Sequence, residues 1–210
     1  MKQKSDFGII SVVLFSFLIL EGCNLDIDDG SRVVKGEGPI VSKEFFLDSI
    51  ESVDHIGVGE TRITHGPVQK VFVRAQQNIL DLILAQEDDH NFAWGFMEKI
   101  SLDPATDSII VEVQMTRDLD RVRLVGIGDI TVTLPAQETL NIDLSGYGNI
   151  KCYGINLGNC VIDLSGLGSC QVMVADTLFG ILSGQGNIYY KGDPVNLMAI
   201  TGNGNVLDDN

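Results

Sequence analysis

Asp143 and Asp163 stand twenty residues apart, each just ahead of a related glycine-rich phrase, and Asp129 lies nearby in sequence. Two carboxylates brought together can share acid and base duties on a glycosidic bond. The same residues also fit outward positions of alternating strands, as Asn141 and Thr131 do, and that plainer reading is preferred because a fold alone supplies no activity. Other chemistries fail on spacing. His55, His65 and His90 are scattered without an i, i+2 or i, i+4 partner, so no zinc site is expected. No glycine phrase opens a helix or runs into Lys-Ser/Thr, which argues against a phosphate loop. Ser145, Ser165 and Ser183 precede glycine but never sit in G-x-S-x-G, so no nucleophile elbow is present. A calcium roll needs half the period and carboxylate oxygens, whereas the position in question holds one Asp, three Asn and one Ser. The sequence therefore points to a protein that is not an enzyme and uses no metal or cofactor.

The elements that position these residues are set by the phrase itself. It occurs as LVGIGDI (124–130), LSGYGNI (144–150), LSGLGSC (164–170), LSGQGNI (182–188) and ITGNGNV (200–206), with starts 20, 20, 18 and 18 residues apart. Repetition at a fixed period marks a repeat architecture. The first and seventh positions are always apolar and should point inward. The third and fifth are always glycine, the residue that tolerates positive φ. The sixth is small and polar and could form a ladder of side-chain amides. The fourth is Ile127, Tyr147, Leu167, Gln185 and Asn203, with no shared character, and should face out. Alternating sequence flanks each phrase, as in Leu140-Asn-Ile142-Asp-Leu144, the pattern of half-buried strands. These features predict an all-β, parallel β-helix-like solenoid with 18–20-residue rungs, right-handed, in which each turn buries its apolar face against the next. An antiparallel sandwich with similar hairpin turns is the alternative.

Composition narrows the partners. The chain has 210 residues, 23 of them glycine, and a formal net charge of −15, which disfavours nucleic acid. Residues 1–22 read as a lipoprotein signal peptide. Lys2 and Lys4 precede an apolar stretch from Phe7 to Leu20, too short and too early for an ordinary span, and then comes Leu20-Glu21-Gly22-Cys23. This resembles the bacterial lipoprotein signal, which implies lipid on Cys23. Glu21 departs from the small uncharged residue usual there. Residues 23–42 begin with an acidic, aperiodic run and read as a lipidated tether, and residues 43–210 read as the head. Cys152, Cys160 and Cys170 fall at inward positions and read as small core hydrophobes, with a Cys152–Cys170 disulfide open as well.

Residues 33–115 are less regular and are expected to form irregular first rungs with little or no helix. Ile79–Leu84 reads as a strand with its turn, and Glu87–Asn91 as a polar break. Phe92, Trp94 and Phe96 follow it. They fit a contact surface for a partner, since aromatic residues often anchor interfaces, and equally a cap or core cluster closing one end of the stack. Tyr147, Tyr153, Tyr189 and Tyr190 are a second candidate aromatic stripe.

The repeated G-x-G-[ND]-[IV] phrase, together with Gly38–Lys43 and Ile56-Gly-Val-Gly59, resembles the head GIN domain of auto-transporter adhesins. The resemblance runs from about Lys43 to Val206. It implies an all-β envelope domain, secreted or lipidated, with no catalytic motif to carry over. The expected function is a non-enzymatic, lipid-anchored cell-envelope protein, in the outer membrane and exposed at the surface, whose head meets a surface glycan or a protein. Two alternatives are a carbohydrate-active or carbohydrate-binding protein on the same scaffold, and a periplasmic accessory or sensor protein binding a partner through Phe92–Phe96.

Overall fold

A computed structural model describes residues 31–210 except Asp48. The signal peptide, Cys23 and the first part of the tether lie outside the described residues. The described residues are all-β, with 64% strand and 2% helix. The strands are β1 (Arg32–Val34), β2 (Ile40–Phe45), β3 (Ser52–His55), β4 (Val58–His65) and β5 (Lys70–Gln76), followed by one helical turn, α1 (Gln77–Leu80). Then come β6 (Ile83–Asp88), β7 (Asn91–Phe96), β8 (Ile100–Leu102), β9 (Ile110–Met115), β10 (Arg121–Leu124) and β11 (Ile127–Thr133). The last are β12 (Gln137–Leu144), β13 (Ile150–Leu164), β14 (Cys170–Leu182), β15 (Asn187–Lys191), β16 (Val195–Ile200) and β17 (Asn205–Asp208). No helix among the described residues is long and apolar enough to cross a membrane.

Fifteen strands share one sheet, and β1 pairs with β8 apart from it. Strand pairing thus begins at Arg32, inside the 23–42 stretch. The phrase copies lie side by side in parallel register. On the strand entering the phrase, Trp94, His55, Leu124, Leu144, Leu164, Leu182 and Ile200 align. On the strand leaving it, Val111, Thr61, Ile130, Ile150, Cys170, Ile188 and Val206 align. The first and seventh positions are buried from Leu124 to Ile188, which makes them the core, as their apolar character requires. Cys152, Cys160 and Cys170 are buried free thiols, their pKa values pushed up by burial.

The first half differs from a purely parallel stack. β2 and β5 pair antiparallel, β5 pairs antiparallel with β9, and β6 with β7. The polar break is the turn of the β6–β7 hairpin, where Asp89 and His90 both take positive φ (48° and 63°), the signature of a type I′ turn. Ile79–Leu84 is not a single strand with its turn: Ile79 and Leu80 are buried on α1 before β6 begins.

Phe92 and Trp94 are fully buried and Phe96 half-buried. Their alternation along β7 turns them into the core beside Val53 and His55. Phe92 and Trp94 are therefore core residues, and Phe96 alone of the three keeps partial exposure.

His55-Ile-Gly-Val-Gly-Glu-Thr61 is a sixth copy of the phrase, in register with LVGIGDI, but its two inward positions are polar. They satisfy each other in part. The Trp94 indole N–H donates to Thr61 Oγ1 at 2.9 Å, and Thr61 Oγ1 lies 3.1 Å from His55 Nδ1. The His55 and Trp94 rings are 4.4 Å apart, and His55 Nε2 is buried without a hydrogen-bond partner among the described residues. Burial pushes the His55 pKa down to about 4, against smaller opposing effects of the Gly57 and Ile127 backbone and of the Asp129 charge. The unfolded chain takes up this proton below its ordinary pKa of 6.5, and the folded chain only near 4. Stability is therefore present above pH 6.5 and lost as pH falls toward 4, by about 3 kcal/mol from this group. Leucine fills the equivalent position in four other copies, so His55→Leu should remove this acid-sensitive component. Denaturant titrations from pH 7 to pH 4 check it, and equal slopes for the two proteins would refute it.

Candidate functional site

What the stacked phrases expose is built from their glycines outward. Gly128, Gly148 and Gly168 have φ of 136°, 142° and 145°, a region that side chains avoid. A Cβ on any of them would overlap the carbonyl oxygen of the matching glycine one copy earlier. Close stacking of bare backbone is thus the reason for the fifth position. The third-position glycines meet the preceding copy in the same way.

Between these glycines the fourth residue is held to the preceding copy through both its N–H and its C=O. Tyr147 N donates to Gly126 O, and Gly128 N donates to Tyr147 O, both at 2.9 Å. Leu167 N donates to Gly146 O, and Gly148 N to Leu167 O, again at 2.9 Å. Single parallel bridges join Ile127, Tyr147, Leu167 and Gln185 in order. All four side chains, and Asn203 after them, face solvent, with Tyr147 61% exposed. The second position forms a parallel stripe of Val125, Ser145, Ser165, Ser183 and Thr201, also exposed. Tyr147, Gly148, Asn149, Leu167, Gly168 and Gln185 line an open trough of about 460 Å³. Of the other tyrosines, Tyr153, Tyr189 and Tyr190 are half-buried, so the exposed aromatic member is Tyr147.

The sixth position forms a ladder whose main bond differs from the expected amide-to-amide one. Each side-chain oxygen accepts from the backbone N–H of the next copy: Asp129 Oδ1 from Asn149 at 3.0 Å, Asn149 Oδ1 from Ser169 at 3.1 Å and Asn187 Oδ1 from Asn205 at 3.0 Å. Side-chain amides also donate along it, Asn149 to Asp129 at 2.9 Å and Asn205 to Asn187 at 3.3 Å. No such bond joins Ser169 to Asn187 among the described residues, where the sequence departs from asparagine. Lys151 Nζ lies 2.6 Å from Asp129 Oδ2. Partial burial raises the Asp129 pKa, but hydrogen bonds from Lys151 and Asn149 and the Lys151 charge outweigh it and hold the carboxyl below its ordinary value.

The carboxylates with catalytic potential are placed differently. Asp143 and Asp163 are direct neighbours across β12 and β13, and Asp129 is engaged by Lys151 and Asn149. Arg123 precedes Asp143 in the same column, but its guanidinium is 2.6 Å from Asp54, a buried carboxylate that Asn91 also reaches at 3.1 Å. Partial burial raises the Asp143 pKa; Arg123 opposes this, and the charges of Asp163 and Asp54 add to it. The arrangement is a paired-carboxylate column whose basic member is already occupied. Among the described residues no group of three or more His, Cys, Asp and Glu is placed to hold a metal ion.

The resemblance carried by the phrase extends to a formal match. Residues 108–194 match the family model described as "Putative auto-transporter adhesin, head GIN domain". The matched segment takes in four of the five phrases and is narrower than the 43–206 span of the sequence resemblance. Among solved structures, a "putative adhesin" from Bacteroides fragilis is 13% identical, with a TM-score of 0.55 over 83% of this chain and 99% of that one. This likeness concerns the fold. A "putative adhesin" from Parabacteroides merdae is 18% identical, with a TM-score of 0.41 over 85% and 99% of the two chains. A "putative cell adhesion protein" from Clostridium sporogenes is 11% identical, with a TM-score of 0.42 over 81% and 100%. No curated protein matches the chain.

Proposed function

We propose that this chain is a non-enzymatic envelope protein whose stacked phrases form a rigid β-helix-like coil with 18–20-residue rungs, right-handed, presenting the fourth-position stripe as an adhesive contact surface. The observation that carries this reading is the contrast between positions. From Leu124 to Ile188 the first and seventh are sealed in the core, while the fourth is exposed from Ile127 to Asn203, and Tyr147, Leu167 and Gln185 are each tied to the preceding copy through both N–H and C=O. A rigid frame that offers varied exposed side chains at a fixed spacing suits recognition, because little ordering is left to be done on binding. The adhesin-type family match over 108–194 supports the same role. A catalytic role for Asp143 and Asp163 has less support, since Arg123 is committed to Asp54.

The head sits on a lipid at Cys23, in the outer membrane and facing out. The leader sequence supports this, as each buried CH₂ of an acyl chain adds about 0.8 kcal/mol of membrane affinity. Protease accessibility of the tagged chain on intact cells tests it, with Cys23→Ala as comparison. Digestion of the cell-bound protein and its loss from the cell fraction in the variant are expected. Protection until the outer membrane is breached would overturn the surface placement and favour a periplasmic accessory role.

A further inference from the structure

The contact surface changes character along its length. Ile56, Val125 and Ile127 make its first end apolar, and Asp129 and Lys151 flank it there. From Leu144 onward four successive phrases carry no acidic or basic residue, although the chain as a whole has a net charge of −15. This neutral section contains the trough at Tyr147, Leu167 and Gln185.

We infer that the trough and the neutral phrases around it bind an uncharged polysaccharide. The inference rests on the reading of the stripe as a contact surface and names what it contacts. Four observations converge. Charge comes first: an acidic polymer would be repelled by the acidic body, and a basic partner would gain more from the charged faces than from the one section without charge. Next is the lining, in which Gly148 and Gly168 contribute backbone alone between Tyr147, Asn149, Leu167 and Gln185 and so leave room beside the exposed ring. Third is the rim. The Tyr147 ring stands exposed for stacking on the C–H face of a sugar, and neither its hydroxyl nor the Gln185 amide has a partner among the described residues. Last is periodicity. Ser145, Ser165, Ser183 and Thr201 repeat the same backbone bond to the preceding copy, which sets their exposed hydroxyls in a row at the strand spacing of about 4.8 Å. A row of equivalent donors and acceptors suits a chain of hydroxyl-bearing units. A protein partner is less well matched, because beyond Leu167 the stripe turns to Gln185 and Asn203 and offers no continuous apolar core.

Affinity electrophoresis of the full chain tests this, in native detergent gels containing starch, mannan, xylan, galactomannan or hydroxyethylcellulose, with polygalacturonate as the charged comparison. Retardation by at least one neutral polymer and none by polygalacturonate is expected. Tyr147→Ala should weaken the retardation roughly tenfold, Gln185→Ala should weaken it less, and Asp163→Asn, off the stripe, should leave it unchanged. Tyr147 is exposed, so its truncation spares the core, and an unchanged melting temperature confirms folding. Migration unaffected by every neutral polymer, or retardation equal in Tyr147→Ala, would overturn the inference. If the stripe proves necessary for attachment while no polymer retards the protein, the saccharide inference falls, the contact-surface reading stands, and the ligand is a protein.

Discussion

Gly148→Ala should destabilise the head by about 3–5 kcal/mol, through strain at a φ reserved for glycine and overlap with packed backbone. Gly148 has φ of 142°, and its added methyl would overlap the Gly128 carbonyl oxygen. Neither cost can be relieved locally. The oxygen belongs to the backbone of the neighbouring copy, which is itself fixed by the bonds of Gly126 and Gly128 to Tyr147. Whole-domain stabilities are commonly about 5–15 kcal/mol, so this single methyl removes a large share. Gly38→Ala provides the contrast. Its φ of 81° is also left-handed, but among the described residues nothing lies within 4 Å of the added Cβ. It should cost only about 1–2 kcal/mol. Denaturant midpoints of the two variants decide the matter, and equal effects would show that conformational freedom alone, without close stacking, explains the glycines.

Trp94→Ala should cost about 3–5 kcal/mol, the range for emptying a large aromatic site. Trp94 is 1% exposed, packs its ring on His55, and would meet any Cβ added at Gly57. It also donates the 2.9 Å bond to Thr61, which then keeps only His55 as a partner. Trp94→Phe keeps most of the ring and loses the N–H, and should cost about 1–2 kcal/mol. A Trp94→Ala protein with unchanged stability and lost partner binding would contradict the core assignment and return Phe92, Trp94 and Phe96 to the surface.

The repeating half of the fold was legible because one structural position recurs in every copy and its requirements accumulate down a column. Inward Leu124 to Leu182, outward Tyr147 and the weak ladder step at Ser169 all follow from that. The first half was harder because alternation marks a strand without stating its direction. Nothing local distinguishes antiparallel β5 from parallel β4, and four residues of α1 are too few to show a helical period. The aromatic cluster carried its answer in period 2: Phe92 and Trp94 share a face, and that face is inward once β7 aligns with β3. The Asp54–Arg123 pair joins residues 69 apart in sequence. It becomes visible only when His55–Thr61 is added to the columns as a copy in its own right, which places Asp54 directly beside Arg123. The polar inward pair of that copy, His55 and Thr61, hid its membership.

The most direct test of the contact surface is attachment of cells displaying the chain with Tyr147→Ala and Leu167→Ser combined, at matched surface level and melting temperature. Both side chains are exposed, so the frame should survive the change. Loss of attachment is the predicted result. Attachment equal to that of the unaltered chain would show that the stripe is only the outer skin of the stack and that the adhesive face lies elsewhere.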